Sequence, residues 1–243
     1  MELLVSVRNA IEAAIVASHR VTVIDIKEPA NGSLGIPEPT VVTEILNQLP
    51  IDQTVSLALG ELADLSPEKV RIFFSRAKMP QASIYAKIGL AGMTKDTNWQ
   101  SKWEEILKAL PDVTAPVTVA YADYKLANAP PIEEVMEAGS RLGCRAFLLD
   151  TYSKSNGSSL DHVKLDELQR LAKRASANQM KFVLAGSISS NDLGTLRDLN
   201  IDMIGVRGAV CEAAVRTSSI SDSRLAKFIV ELSDFSNRER AHV

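Results

Sequence analysis

Only three histidines (His19, His162 and His242) and two cysteines (Cys144 and Cys211) occur among the 243 residues. The histidines are scattered, which argues against a multi-histidine metal centre, and no metal is expected. The cysteines lie far apart and suggest neither a disulfide framework nor a zinc site. Long apolar runs are missing too. Nothing approaches the roughly 20 apolar residues that a membrane helix needs, so no membrane partner is expected. The opening stretch "MELLVSVRNAIEAAIVASHR" carries Glu2, Arg8 and Glu12, and is unlike a signal peptide. A soluble, cytoplasmic protein is expected. With a formal net charge of -3 there is no broad basic field, and nucleic acid is not an expected partner. No linker or low-complexity block divides the chain, and no glycine fingerprint for a dinucleotide follows the first strand.

What is present is ordinary globular composition, 46% hydrophobic and 23% charged. The length allows two small domains or one α/β barrel. Short apolar runs alternate with amphipathic segments throughout. The strand candidates are "ELLVSV" (2–7), "VTVIDIK" (21–27), "TVSLALG" (54–60), "SIYAKIGL" (83–90), "VTVAYADY" (117–124), "AFLLDTY" (146–152), "KFVLAGSI" (181–188) and "MIGVRGA" (203–209). Several are apolar almost throughout, as strands are when a parallel sheet is covered on both faces. Helical patterns lie between them. One runs over 8–19, and another, "EPTVVTEILNQL", has proline in its first turn. "SPEKVRIFFSRAK" has a serine cap and "NWQSKWEEILKAL" an asparagine cap, while "PIEEVMEAGSRLG" stops on glycine. "KLDELQRLAKRASAN", "SSNDLGTLRDLN" and "SDSRLAKFIVELSDF" complete the series. Eight strand–helix units in this length predict a single (β/α)8 TIM barrel over residues 1–243.

Barrel active sites lie at the C-terminal ends of the strands. Strand two ends in Asp25 and Lys27, strand four carries Lys87, strand five ends in Asp123, and strand six ends in Asp150 with Lys154 four residues on. Lysine is rarely buried unless paired or functional. An amine among apolar residues and beside a second cation is pushed toward neutrality, and so toward attack on a carbonyl. Asp25, two places before Lys27, projects to the same side and could hold the amine or shuttle protons. Lys27 as a solvated strand end paired with Asp25 or Glu28 is the plainer alternative, and Lys27, Lys87, Asp123, Asp150 and Lys154, all falling on one rim, weigh against it. Strands seven and eight end in "AGSIS" and "GVRGA". In barrels, glycine-freed backbone N–H groups after these strands often hold phosphate. Gly186 and Ser187, with Gly205, Arg207, Gly208 and Ala209, are the candidate phosphate residues, Arg207 as a bidentate donor. Arg216 is a loop arginine that would reach a second phosphate. Cys211 reads as a small buried hydrophobe, His19 as a helix-end cation, and Trp99 with Trp103 as one packed helix face.

The strings "LLVSVRNAIEA", "IDIKEPANGSLG", "AKIGL", "VAYADY", "LLDTYSK", "LAGSIS" and "IGVRGAVC" resemble the (5-formylfuran-3-yl)methyl phosphate synthase family, from residue 2 to about 220. The family is also named for 4-(hydroxymethyl)-2-furancarboxaldehyde phosphate. The resemblance implies a lyase of methanofuran biosynthesis, or of a one-carbon pathway using a methanofuran-like cofactor. It would condense two glyceraldehyde 3-phosphate molecules with loss of phosphate and water, and would need no cofactor of its own. Lys27 would form the Schiff base and Lys87 would be the acid/base partner, supported by Asp25, Asp150 and Lys154. A triose phosphate as small-molecule partner and assembly into a homo-oligomer are likewise implied. "VCEAAVRTSSIS" lacks the glycine-rich stretch expected there, and "YADYKLANAPP" departs from the pattern beyond Asp123. A class I-type aldolase for another phosphorylated aldehyde or ketone is one alternative. A non-catalytic sugar-phosphate-binding barrel is the other.

Overall fold

Strands and helices alternate from end to end in the computed structural model, which describes residues 1–79 and 84–240. In chain order the elements are β1 (Glu2–Val7), α1 (Ala10–Ser18), β2 (Val23–Ile26), α2 (Pro39–Gln48), β3 (Thr54–Glu61), α3 (Pro67–Arg76), β4 (Ile84–Gly89) and α4 (Trp99–Lys108). There follow β5 (Thr114–Tyr121), α5 (Ile132–Arg141), β6 (Ala146–Asp150), α6 (Ser159–His162), α7 (Leu165–Ala177), β7 (Lys181–Leu184), α8 (Leu193–Leu196), β8 (Met203–Val206) and α9 (Asp222–Arg240). The strands close in sequence order, all parallel, with β8 pairing back onto β1. This is the expected (β/α)8 barrel. No helix among the described residues is long and apolar enough to cross a membrane.

Alternation along each strand sorts the side chains into two populations. One face carries Val5, Ile24, Ile26, Leu57, Phe147 and Phe182, which cluster with helix residues such as Val16, Ile45, Val70 and Trp103. The other face lines the barrel interior with smaller residues, among them Leu4, Val23, Ala58, Ala146 and Val183. Helix ends follow local chemistry. Ser66 caps α3 by accepting from the Lys69 N–H at 3.2 Å. Gly143, at φ 77, follows the end of α5 in a conformation that suits glycine. Trp99 and Trp103 are buried on one face of α4 with rings stacked at 6.2 Å.

Several boundaries differ from the expectation. Ser83, placed in strand four, lies outside the described residues. Asn98 makes no side-chain cap on α4; Asp96 Oδ1 instead accepts from the Asn98 N–H at 2.9 Å. The helix expected over 189–200 is a 3-10 turn, Ser190–Asp192, running into the four-residue α8. Ser189 and Asp192 cap each other's backbone there, and Gly194 adds no helix propensity. β7 stops at Leu184 because Gly186 and Ser187 adopt left-handed conformations, φ 91 and 57. β5 runs earlier than expected and stops at Tyr121, short of Asp123.

Candidate active site

The strand ends meet in a cavity of about 390 Å³ at the C-terminal mouth of the barrel. Asp25, Lys27, Lys87, Asp150 and Lys154 line it together with Gly186, Ser187, Gly205, Arg207, Gly208 and Ala209. The structure therefore brings the rim carboxylates and amines, from the ends of three strands, against the two glycine turns.

Register explains how Asp25 is held. It pairs across β1 with Ser6 and across β3 with Ser56. Both hydroxyls donate to its carboxylate, Ser6 Oγ to Oδ2 at 2.8 Å and Ser56 Oγ to Oδ1 at 2.7 Å. Lys87 Nζ, from β4, is ion-paired with the same Oδ1. Burial pushes the Asp25 carboxyl up, but Lys87 and Lys27 outweigh it and hold the group below the usual carboxylate range.

A second ion pair closes the opposite side. Asp150 Oδ1 accepts from Lys154 Nζ at 2.6 Å and from the Thr151 N–H at 2.8 Å. Its Oδ2 accepts from Ser33 Oγ at 3.0 Å. Burial opposes ionisation of Asp150, yet Lys154 and Lys27 win and lower its pKa strongly. Lys154 spends its remaining contacts on the Thr151 carbonyl and hydroxyl. Burial lowers the Lys154 pKa as well, against the pull of Asp150.

Lys27 stands between these pairs and belongs to neither. It is 8% exposed, and its Nζ makes no hydrogen bond or ion pair among the described residues. Burial, reinforced by the Lys87 and Lys154 cations, lowers its pKa to about 8 despite Asp150 and Asp25. The backbone fixes its place: Lys27 N–H donates to the Val7 carbonyl at 3.1 Å, and Glu28 N–H to the Gly35 carbonyl at 2.9 Å. A Cβ at Gly35 would overlap the Glu28 carbonyl oxygen, so the "NGSLG" loop needs glycine to fold back here. That fold-back carries Ser33 to Asp150. The loop braces the site's carboxylate.

Gly186 needs to be glycine twice over, for its φ of 91 and because a Cβ would meet Ser159 Oγ and the Thr151 backbone. Its turn and the start of the β8–α9 segment form the glycine-lined wall of the cavity. Arg216 also lines the cavity, and its guanidinium donates to the carbonyl of Gly32, in the loop after β2, at 2.9 Å.

Two expected roles are corrected. Asp123 lies beyond β5 in a turn, where its carbonyl accepts from Leu126 and Ala127. Its carboxylate accepts from the Tyr152 N–H at 2.7 Å and the Ser153 N–H at 2.8 Å, and it does not line the cavity. It shapes the loop that carries Lys154. Arg207, expected as a phosphate donor, borders the cavity, but its guanidinium is committed to protein acceptors. Its partners are both Glu12 oxygens, at 2.9 and 3.2 Å, and the carbonyls of Ser6, Ser218 and Arg216. Five donors meet five acceptors. Cys211 is buried, as expected, and burial raises its thiol pKa. His19 meets Asp222 at 2.7 Å at the end of α1.

Ser6, Ser56, Ser33 and Glu12 escaped sequence reading. The serines carry no charge to mark them. Glu12 had a signal: it is the one carboxylate in an apolar helix, and a buried arginine requires such a partner. Among the described residues, no group of three or more His, Cys, Asp or Glu could hold a metal ion.

Comparison with known proteins now adds a family. The family model for 4-HFC-P synthase matches residues 3–229. This chain belongs to the 4-HFC-P synthase family. It is 32% identical over 239 residues to the (5-formylfuran-3-yl)methyl phosphate synthase of Methanobrevibacter smithii, covering 96% of this chain and 99% of that protein. It is 30% identical over 236 residues to the synthase of the same name from Methanococcus maripaludis, covering 96% and 99%. The solved structure of 3-hexulose-6-phosphate synthase from Salmonella typhimurium has the same fold, with a TM-score of 0.63, 13% identity and coverage of 96% and 100%. The family makes the chain an enzyme of furan phosphate synthesis.

Proposed function

We propose that this enzyme condenses two molecules of glyceraldehyde 3-phosphate into 4-(hydroxymethyl)-2-furancarboxaldehyde phosphate, as a lyase that works through a Schiff base on Lys27. The observation that carries the reading is a buried amine, Lys27, that stands between two ion pairs and has no hydrogen-bond or ion-pair partner among the described residues. A lysine must be neutral to attack a carbonyl, and Lys27 reaches that state near pH 8. The iminium then serves as an electron sink. It eases proton removal at the adjacent carbon and elimination of phosphate from the first triose. The resulting carbon nucleophile attacks the aldehyde of the second triose, and cyclisation with loss of water gives the furan. Lys87, whose ammonium is shared with Asp25, is the acid/base partner above which these steps run. Lys154 and Asp150 hold the far side of the cavity. The turns at Gly186–Ser187 and Gly208–Ala209 cradle one substrate phosphate, with Arg216 as the cation in place of the committed Arg207.

The test is to incubate the protein with glyceraldehyde 3-phosphate alone and to follow the near-ultraviolet absorbance of the furan. Borohydride reduction and peptide mass spectrometry then locate the adduct. Furan formation with an adduct on Lys27 is expected. An adduct without furan would point to an aldolase acting on another phosphorylated aldehyde or ketone, and no adduct would remove the Schiff base.

A further inference from the structure

The barrel interior holds a second cavity, also about 390 Å³, at the opposite, N-terminal mouth. Thr22, Arg145 and Lys181 form its outer edge and are exposed, so it opens to solvent. Its inner end is bordered by Ser56 and Lys87. Lys87 also lines the catalytic cavity, whereas Lys27 lines only the catalytic one. Leu4, Leu148 and Lys87 line both chambers, so the two meet beside the Lys87–Asp25 pair. The two serines on Asp25 fall on different sides of this meeting point. Ser6 lines the upper chamber and Ser56 the lower. Ser56 Oγ and Lys87 Nζ donate to the same oxygen, Asp25 Oδ1.

We propose that the lower chamber is a proton path, by which Lys87 exchanges protons with solvent through Ser56 and Asp25 from the N-terminal side. The proposal rests on the furan-forming reading of the upper cavity. Between the charged outer edge and the Ser56–Lys87 inner end the wall is largely apolar, with Leu4, Val23, Val117, Leu148, Val183 and Met203, and the path requires a file of water across this stretch. When Lys87 has given its proton upward to a reacting oxygen, Ser56 accepts a proton from water below. Ser56 passes its own hydroxyl proton to Asp25 Oδ1, and Asp25 delivers a proton to the Lys87 amine. One proton enters and one leaves, and no other reactant is required. The carboxylate suits this task because it is the shared acceptor of both donors. The other titratable groups facing the chamber are Glu2, Tyr85, Arg145 and Lys181, of which Glu2 and Lys181 are ion-paired with each other at 2.9 Å. The arrangement lets the acid/base pair reset while two substrates cover the upper mouth.

Ser56 is a positioning and relay residue, and Ser6 is its matched control, since each gives Asp25 one hydroxyl bond. Turnover in H2O and D2O would be measured for the parent, Ser56→Ala, Ser6→Ala and Ser56→Thr. The expected result is a fall in kcat of about tenfold and a larger solvent isotope effect for Ser56→Ala. KM and borohydride trapping at Lys27 should stay at parent values, Ser56→Thr should restore the rate, and the isotope effect of Ser6→Ala should match the parent's. An Ala146→Leu variant, which narrows the lower chamber without touching Asp25, should reproduce the isotope effect. Parent-like kcat and isotope effect in Ser56→Ala, or equal shifts in Ser56→Ala and Ser6→Ala, would overturn the path while leaving the furan reading intact. A parent that forms no furan would overturn both.

Discussion

The two faces of the same eight strands differ most at the C-terminal mouth of the barrel, below which the inward face is apolar too, with Leu4, Val23, Ala58 and Val183. The helix-facing side is built from Val5, Ile24, Leu57, Phe147 and Phe182, all buried and all apolar. The inward side carries Ser6, Asp25, Lys27, Ser56, Lys87, Asp150 and Arg207, which are just as buried. Burying charge is costly even when it is paired. The outer shell meets that cost through apolar burial, and the inner face is then free to hold groups chosen for chemistry. Within that inner face a second contrast appears. Asp25–Lys87, Asp150–Lys154 and Glu12–Arg207 are ion pairs, whereas the Lys27 amine lines the cavity with neither a hydrogen-bond nor an ion-pair partner among the described residues.

Changing the unpaired amine should have the largest effect. Lys27→Arg keeps a charge but removes a nucleophile that can be neutral, and furan formation should fall by at least about a thousandfold in a steady-state assay. Thermal unfolding should show little loss of stability. A large loss would place Lys27 among the structural ion pairs and erase the contrast. On the outer face the outcome should reverse. Phe147, fully buried and stacked on Phe182 at 5.6 Å, should cost about 3–5 kcal/mol when changed to alanine. Denaturant unfolding would measure that cost, while the folded fraction should still be trapped at Lys27.

The smallest effect belongs to the β8–α9 segment. Ala213 and Ala214 both adopt left-handed conformations, φ 51 and 57, beside the cavity. This is the stretch where glycines were expected and are missing. A side chain in this region costs about 1–2 kcal/mol, while glycine makes the unfolded chain freer. Ala213→Gly should therefore stabilise by only about 0.5 kcal/mol, measured as a shift in the unfolding midpoint at unchanged m-value.

How far the site was legible in the sequence follows from the same contrast. Charges on apolar strands stand out, so Asp25, Lys27, Lys87, Asp150 and Lys154 could be placed on the rim from alternation and strand order alone. Asp123 misled because the reading turned on where β5 ends, and two residues past Tyr121 the chain has already turned away. Arg207 misled because its partner, Glu12, lies 195 positions earlier, and no local pattern joins them. Ser6, Ser33 and Ser56 are ordinary residues until register and a folded-back loop bring them to a carboxylate. The barrel needed only periodicity. The wiring inside it needed coordinates.

The most direct test of the central claim is the pH dependence of adduct formation. Glyceraldehyde 3-phosphate would be reduced onto the enzyme by borohydride between about pH 6 and 11.5, spanning the ordinary lysine value, and labelled peptides quantified. Because the neutral amine is the reactive form, initial labelling should rise with pH, with a midpoint near 8, and should fall on Lys27 alone. Labelling on Lys87 or Lys154, or a midpoint near the ordinary lysine value of about 10.4, would contradict it.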